Sequence, residues 1–271
     1  MPAVETLPDG VLDRARAWLA GPRKIAPARD AATVVLLRDG HRELEVYLLR
    51  RAPTMAFAAG MHVFPGGSVD SRDGSPDVAW AGPPPTEWAR ALGCSESLAR
   101  ALVCAAVRET FEESGVLLAG RSPDSVVADT TGEDWERDRQ SLLDRTVSMA
   151  ALLDVRRLVL RSDLLQPWAH WITPDFEPRR FDTRFLVAAL PEGQRTRDVG
   201  GEADEVTWLP VREALAGHDA GRLAMLPPTV EVLRDLAGFR DVAGVLGTSR
   251  ELRRIHPRLV ETADGLELVW S

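Results

Sequence analysis

Three features of the chain predict an α+β fold, with a mixed sheet between helices in an α/β/α sandwich. Residues 31–37 and 44–49 are apolar and partly β-branched, and Asp39-Gly40 lies between them; Asp-Gly between such runs signals a β-hairpin. Val103, Val107 and Phe111 recur every four residues ahead of Gly115, the pattern of a long helix with a packed stripe and a glycine stop. The chain returns to strand-like apolar runs at 164–174 and 179–190.

The remaining elements follow in order. Residues 11–19 form a short amphipathic helix that Gly21-Pro22 stops. Residues 70–77 are turn-like, and Gly82-Pro83-Pro84-Pro85 is stiff and extended. Thr86 is the expected cap of a short helix over 87–92, and Ser95 that of the long helix. Residues 134–145 and 147–153 have helical spacing, with 155–160 continuing the second helix. Glu205 precedes a short strand over 206–209, and 211–216 is helical. Residues 229–236 form a helix with Thr229 near its cap, and 241–246 extend it. Asp264-Gly265 sits between two apolar pieces of 260–270, a final hairpin. The organisation expected is one domain over 1–271. Residues 74–107 form an insertion plus the start of the long helix, 120–162 a helical insertion, and 220–271 C-terminal helices and a hairpin.

Composition excludes several classes. With 271 residues, 45% hydrophobic and 27% charged, the chain reads as globular. Its net charge of −8 argues against a nucleic-acid-coating surface, so an anionic substrate needs a local basic patch or a metal. Cys94 and Cys104 are the only cysteines, and no CxxC or His/Cys cluster supports a zinc site or a disulfide framework. No run approaches 18 apolar residues, no signal-peptide pattern opens the chain, and Val-Trp-Ser is not a peroxisomal address. A cytoplasmic, reducing setting away from membranes is expected.

The chemistry concentrates in Arg108-Glu109-Thr110-Phe111-Glu112-Glu113-Ser114-Gly115-Val116. On a helix, Glu109, Glu112 and Glu113 fall within about 100° of arc. Such acids repel each other, and a divalent cation relieves the repulsion; hard oxygen ligands suit Mg2+ or Mn2+. The same spacing also fits a solvated acidic face. Upstream, the glycines of His62-Val63-Phe64-Pro65-Gly66-Gly67 permit a tight turn or close backbone approach to a ligand. Arg50 and Arg51 close the second strand, and Arg179, Arg180 and Arg184 lie before or within a buried-looking one. Guanidinium groups meet phosphate in bidentate geometry, so these five are phosphate-binding candidates. A strand-end arginine, or a structural pair through Asp182, is the competing reading. Trp168 and Trp171 could stack on a base or fill the core.

PGG and RExxEExG together resemble the signature of the Nudix hydrolases, G-x5-E-x7-R-E-U-x-E-E-x-G-U with U apolar. Arg108, Glu109, Glu112, Glu113, Gly115 and Val116 match its second half. Thr110 takes an apolar position. Counting from Gly67 puts Asp73 where the family has glutamate, and the seven residues that should follow become thirty-four. This interruption, the phrase LLxR…GxxxFPGG and the phrase WxTPxxEPRRFDTRF are similar to the subfamily of peroxisomal coenzyme A diphosphatases. A further basic residue that subfamily carries four before the glycine is Ala56 here.

The resemblance implies a Nudix-type sandwich and hydrolysis of a diphosphate linkage in a nucleoside diphosphate derivative. Coenzyme A or acyl-CoA is the first expected substrate, giving 3′,5′-ADP and 4′-phosphopantetheine. NADH, ADP-ribose or nucleotide sugars are the alternative within the same chemistry, and a non-catalytic nucleotide-binding or regulatory module is the alternative outside it. Glu109, Glu112 and Glu113 would hold Mg2+ or Mn2+, with Glu202 as a further ligand. Glu109 or one of the pair Glu202/Glu205 would take the proton from water, and Arg108 would orient a glutamate. Arg50, Arg51, Gly66, Gly67, Arg179, Arg180 and Arg184 would contact substrate. The partner is a small-molecule nucleotide, not a nucleic acid or membrane, and a homodimer is compatible with the family.

Overall fold

A computed structural model describes residues 3–6, 9–53, 58–198, 203–263 and 265–270. Its centre is an eight-stranded sheet. The hairpin announced by Asp39-Gly40 joins β2 (Ala28–Asp39) to β3 (Leu44–Arg51), pairing Leu37 with Val46 and Asp39 with Leu44. β4 (His62–Val63) pairs with β3 and β5 (Gly66–Ser68) with β2. With β9 (Gln166–Ile172), β10 (Arg180–Ala189), β11 (Ala203–Pro210) and β12 (Arg254–Ile255), the order is β11-β3-β2-β10-β9-β12. β10 runs parallel to β2 and antiparallel to β9, so the sheet is mixed.

One edge of β2 changes partner along its length. Residues 37–39 pair with β3, residues 31–33 with β5, and Val34 N donates to Pro65 O at 2.8 Å between them. The Pro65-Gly66-Gly67 turn thus fills a fork in the sheet.

Side chains alternate across the sheet, as a two-residue period requires. Val34 and Leu36 face one core, and Val35 and Leu37 the other. The first core holds α2 (Pro85–Leu92), α3 (Glu96–Ser114), α4 (Glu133–Leu143) and α5 (Met149–Arg156). The second holds α1 (Asp9–Ala20), α6 (Val211–Asp219), α7 (Pro227–Leu236) and α8 (Val242–Leu246). This is the expected sandwich.

α3 departs from a one-sided amphipathic helix. Residues 101–108 are all buried, because α2 and α4 cover the face turned from the sheet. Each fully buried Leu, Val or Phe side chain there contributes about 1.5–3 kcal/mol of transfer free energy. Ser95 caps α3 through the Leu98 amide, and Gly115 ends it at φ 73°.

Other expectations need correction. Pro84, not Thr86, occupies the N-cap of α2, without a side-chain cap bond. Leu226 takes the N-cap of α7, and α8 is a separate helix capped by Asp241. Residues 155–160 do not continue α5 throughout. Arg157 turns left-handed at φ 53°, and the chain enters β8 (Val159–Arg161). β8 lies between β6 (Trp80–Ala81) and β7 (Ala119–Gly120), so the two inserted segments share a small sheet. β13 (Arg258–Thr262) and β14 (Gly265–Trp270) form the final hairpin, and β1 (Ala3–Thr6) adds to its edge. Trp168 and Trp171 are buried in the second core against Phe239 and Trp270.

Candidate active site

Helical spacing puts Arg108 beside the acids, and the guanidinium gathers them. Its Nε and Nη2 donate to the two Asp73 oxygens at 3.0 and 2.9 Å. Its Nη1 donates to Glu109 at 2.7 Å and to Glu112 at 3.2 Å, and Nη2 also reaches Ser68 O at 3.1 Å. All three guanidinium nitrogens are engaged, on a side chain 10% exposed. The Asp73 carboxylate also accepts from the Asp70 amide at 2.8 Å, within a one-turn 3-10 helix over Ser71–Gly74. Asp73, on that turn, is therefore held against Arg108 of α3.

The double glycine meets Glu113 and, from another side, Glu109. Gly66 N donates to Glu113 Oε2 at 2.8 Å. A β-carbon at Gly67 would sit 2.6 Å from Glu109 Oε1, and one at Gly66 would sit 2.6 Å from Ala32 O. Glycine is required at Gly66, where a β-carbon would meet the β2 backbone, while at Gly67 it lets the Glu109 carboxylate stand where it does.

Burial dominates the electrostatics. It pushes the Glu109 carboxyl up to about 7 against the lowering pull of Arg108, with Glu112 adding to the rise. Burial also raises Glu112, again opposed by Arg108. Tyr47, one strand away, is raised by burial and by the Glu113 charge. Among the described residues no three acidic, His or Cys side chains converge as a ready ligand cage, since Arg108 holds Glu109 and Glu112. The donor set still fits a hard divalent cation. Arg108 Nη1 draws the Glu109 and Glu112 carboxylates together, burial disfavours their charged forms, and such a cation would offset that cost. Glu109, Glu112 and Glu113 are the residues that would hold it.

Glu205 lies opposite Arg50 in the β11–β3 register. Arg50 makes a two-point pair with Asp204 at 2.7 and 3.1 Å and reaches Glu205 at 3.2 Å. Asp204 escaped the sequence reading; its signal was its place beside Glu205 in an acidic run facing a strand-end arginine. Arg51 lies opposite Ala203. Glu202 and Ala56 fall outside the described residues.

The three later arginines do not converge on one point. Arg184, 4% exposed, is opposite Ala32, which is opposite Gly67, so it lies two strands from the turn. It pairs with Asp182 and, at 3.4 Å, with Asp30. Arg180 is four residues along β10, roughly 13 Å away at 3.3 Å per residue. Its guanidinium is engaged by the carbonyls of Ala26, Thr173 and Pro174 and by Asp175. Arg179 is exposed just before the strand.

Comparison with known proteins places this geometry in a family. A human acyl-coenzyme A diphosphatase NUDT19 is 29% identical over 261 residues, covering 81% of this chain and 68% of that protein. Its Xenopus laevis counterpart is 25% identical over 238 residues, covering 74% and 61%. Several curated relatives thus extend well beyond the part matched, with 62% of another spanned. Among solved structures, a NUDIX hydrolase from Alicyclobacillus acidocaldarius superposes with a TM-score of 0.70 at 28% identity, covering 83% of this chain and 98% of that one. The family model of the NUDT19 Nudix domain matches residues 90–236, more than half of the sequence and the whole of α3 with its arginine and three glutamates, and the chain belongs to that family.

Proposed function

We propose that the protein is a divalent-metal-dependent hydrolase of the diphosphate linkage in coenzyme A or an acyl-CoA, releasing 3′,5′-ADP and a 4′-phosphopantetheine product. The observation that carries the reading is the single cluster in which Arg108 draws Asp73, Glu109 and Glu112 together while Gly66 binds Glu113. The names of the NUDT19 relatives support the coenzyme A choice.

Hydrolysis of a phosphoanhydride builds negative charge on phosphoryl oxygens. A bound Mg2+ or Mn2+ supplies charge stabilisation and a more acidic water. The protein's own groups do the rest. Arg108 fixes the direction of two carboxylates. Gly66 and Gly67 keep the facing backbone free of side chains. Glu205, with its side chain 52% exposed, and Glu109 are the candidate bases. Arg50 and Arg51 are the candidate phosphate contacts. Cys94 and Cys104 form no disulfide, and no described helix is long and apolar enough to cross a membrane.

The deciding experiment is turnover of CoA, acetyl-CoA, NADH, ADP-ribose and UDP-glucose with Mg2+ or Mn2+, with products resolved chromatographically. Preferential release of 3′,5′-ADP from CoA substrates, abolished in Glu113→Gln with an unchanged circular dichroism spectrum, supports the reading. Preference for NADH or a sugar nucleotide overturns the substrate. Binding without any turnover overturns the activity.

A further inference from the structure

The last turn of α3 carries Glu112 and Glu113 and no basic residue. Acids at a helix C-terminus oppose the macrodipole, and the last four carbonyls lack helical partners. The chain compensates from outside. Arg139 of α4, 2% exposed, donates from Nη1 to Glu112 O at 2.8 Å. Its Nε binds Glu136 at 3.0 Å, and Glu136 binds Arg197 Nη1 at 3.3 Å. Arg197 N donates to Ser114 O at 3.0 Å, and its side chain lies against Gly115, where a β-carbon would be 2.7 Å from Nε. Thr130 Oγ1 donates to Gly115 O at 2.6 Å, and Trp135 packs edge-on to Phe111 with centroids 6.1 Å apart. Tyr47 Oη donates to Arg197 O at 3.2 Å, tying the same segment to β3.

We propose that Arg139, bridged by Glu136 to Arg197, is a positioning residue of the metal-holding helix. It grips the backbone of Glu112 itself and is joined through Glu136 to the segment that leads towards β11, which carries Asp204 and Glu205. The helical insertion is then part of the site's support, setting where the acids of α3 stand. Two cations beside the acidic helix end also supply the charge that the last turn lacks. The proposal rests on the reading of α3 as the metal-holding element.

The test measures Mn2+ binding directly, by electron paramagnetic resonance of free Mn2+, beside kcat, KM and Tm. The variants are Arg139→Met, Arg139→Lys, Glu136→Gln, Glu112→Gln and Leu236→Ala. Leu236 is fully buried in the opposite core, so its variant loses stability without touching the site. Removing a partner that orients a metal ligand costs on the order of 10- to 100-fold in affinity or activity. Arg139→Met is expected to show that loss in Mn2+ affinity and in kcat, with KM little changed. Arg139→Lys is expected to recover part of it, and Glu136→Gln to show a smaller loss. Leu236→Ala is expected to lower Tm and leave Mn2+ affinity intact. If Arg139→Met does not fold, Arg139→Lys and Glu136→Gln carry the comparison.

Two outcomes overturn the proposal alone: Arg139 and Glu136 variants that bind Mn2+ like the wild type while Glu112→Gln does not, or a Leu236→Ala loss of affinity that matches theirs. Wild-type protein that binds no Mn2+, or Glu112→Gln that binds it normally, overturns the reading of α3 and this proposal with it.

Discussion

Asp73 and Arg108, thirty-five residues apart, form a two-point pair at 2.9 and 3.0 Å inside the protein. Asp73 is 2% exposed and Arg108 8%. The 3-10 turn that carries Asp73 and the second half of α3, where Arg108 precedes the three glutamates, are thereby joined. Asp73→Ala should leave a buried cation short of its partner, which costs about 3–5 kcal/mol when one half of such a pair is removed. Urea denaturation at pH 7 checks this. A loss below about 1 kcal/mol would mean the pair is relaxed by water.

Gly67→Ala separates the site from the fold. The new β-carbon would sit 2.6 Å from Glu109 Oε1, so the carboxylate must move. A glutamate side chain can rotate away, so Tm should change little. Divalent-metal affinity should fall about 10-fold or more, because an ångström of displacement at a positioned group has that scale of effect. Calorimetric Mn2+ titration of both proteins is the measurement. Unaltered affinity would remove Glu109 from the ligand set.

The double glycine and RExxEExG were legible only in combination, since a lone PGG fits a turn and a lone acidic cluster fits a solvated face. Hairpin, helix stop and layer order were legible from local turn chemistry and periodicity. The position of Asp73 could be counted, but its bond to Arg108 depends on an insertion folding back. The Arg139–Glu136–Arg197 chain left no trace in spacing, since a side-chain ion pair joins Glu136 to Arg197 sixty-one residues on and Arg139 meets α3 through the Glu112 backbone carbonyl. Arg180 could not be placed from sequence for a related reason. In sequence it looks like an anion ligand, yet backbone carbonyls engage it.

Asp182 gives a pH-dependent prediction away from the acids of α3. Burial would raise its carboxyl, but the bond to His170 at 2.6 Å and the Arg184 charge outweigh that and hold it below the ordinary value. A depressed carboxyl stabilises the fold above its unfolded pKa, and the contribution is lost as pH falls through the folded one. Asp182→Asn should therefore cost about 1–3 kcal/mol at pH 7. The gap to wild type should begin to narrow below about pH 4, where the unfolded carboxyl takes its proton, and close only below the lowered folded value. Urea midpoints at pH 7, 5 and 3.5 test it. A constant gap would show that packing, not charge, is lost.

The two thiols should react differently. Burial raises both Cys94 and Cys104, and Cys104 is fully buried. Reactivity follows thiolate exposure. Native protein should titrate slowly at one thiol with Ellman's reagent, and both should react in guanidinium chloride. Two fast native thiols would contradict the burial of α3.

Arg50 decides between a phosphate clamp and a strand-end ion pair. Asp204 and Glu205 already engage its guanidinium, and all three side chains are at least partly exposed. An arginine that contacts substrate equally in ground and transition states raises KM when removed and leaves kcat alone. Arg50→Met should therefore raise KM for a CoA substrate about 10-fold, on the scale of one charge-assisted contact. Asp204→Asn weakens the competing pair and should leave KM unchanged or lower it. If Arg50→Met and Asp204→Asn both lower kcat with KM fixed, the pair instead holds Glu205 for proton transfer, and Arg50 is not a substrate contact.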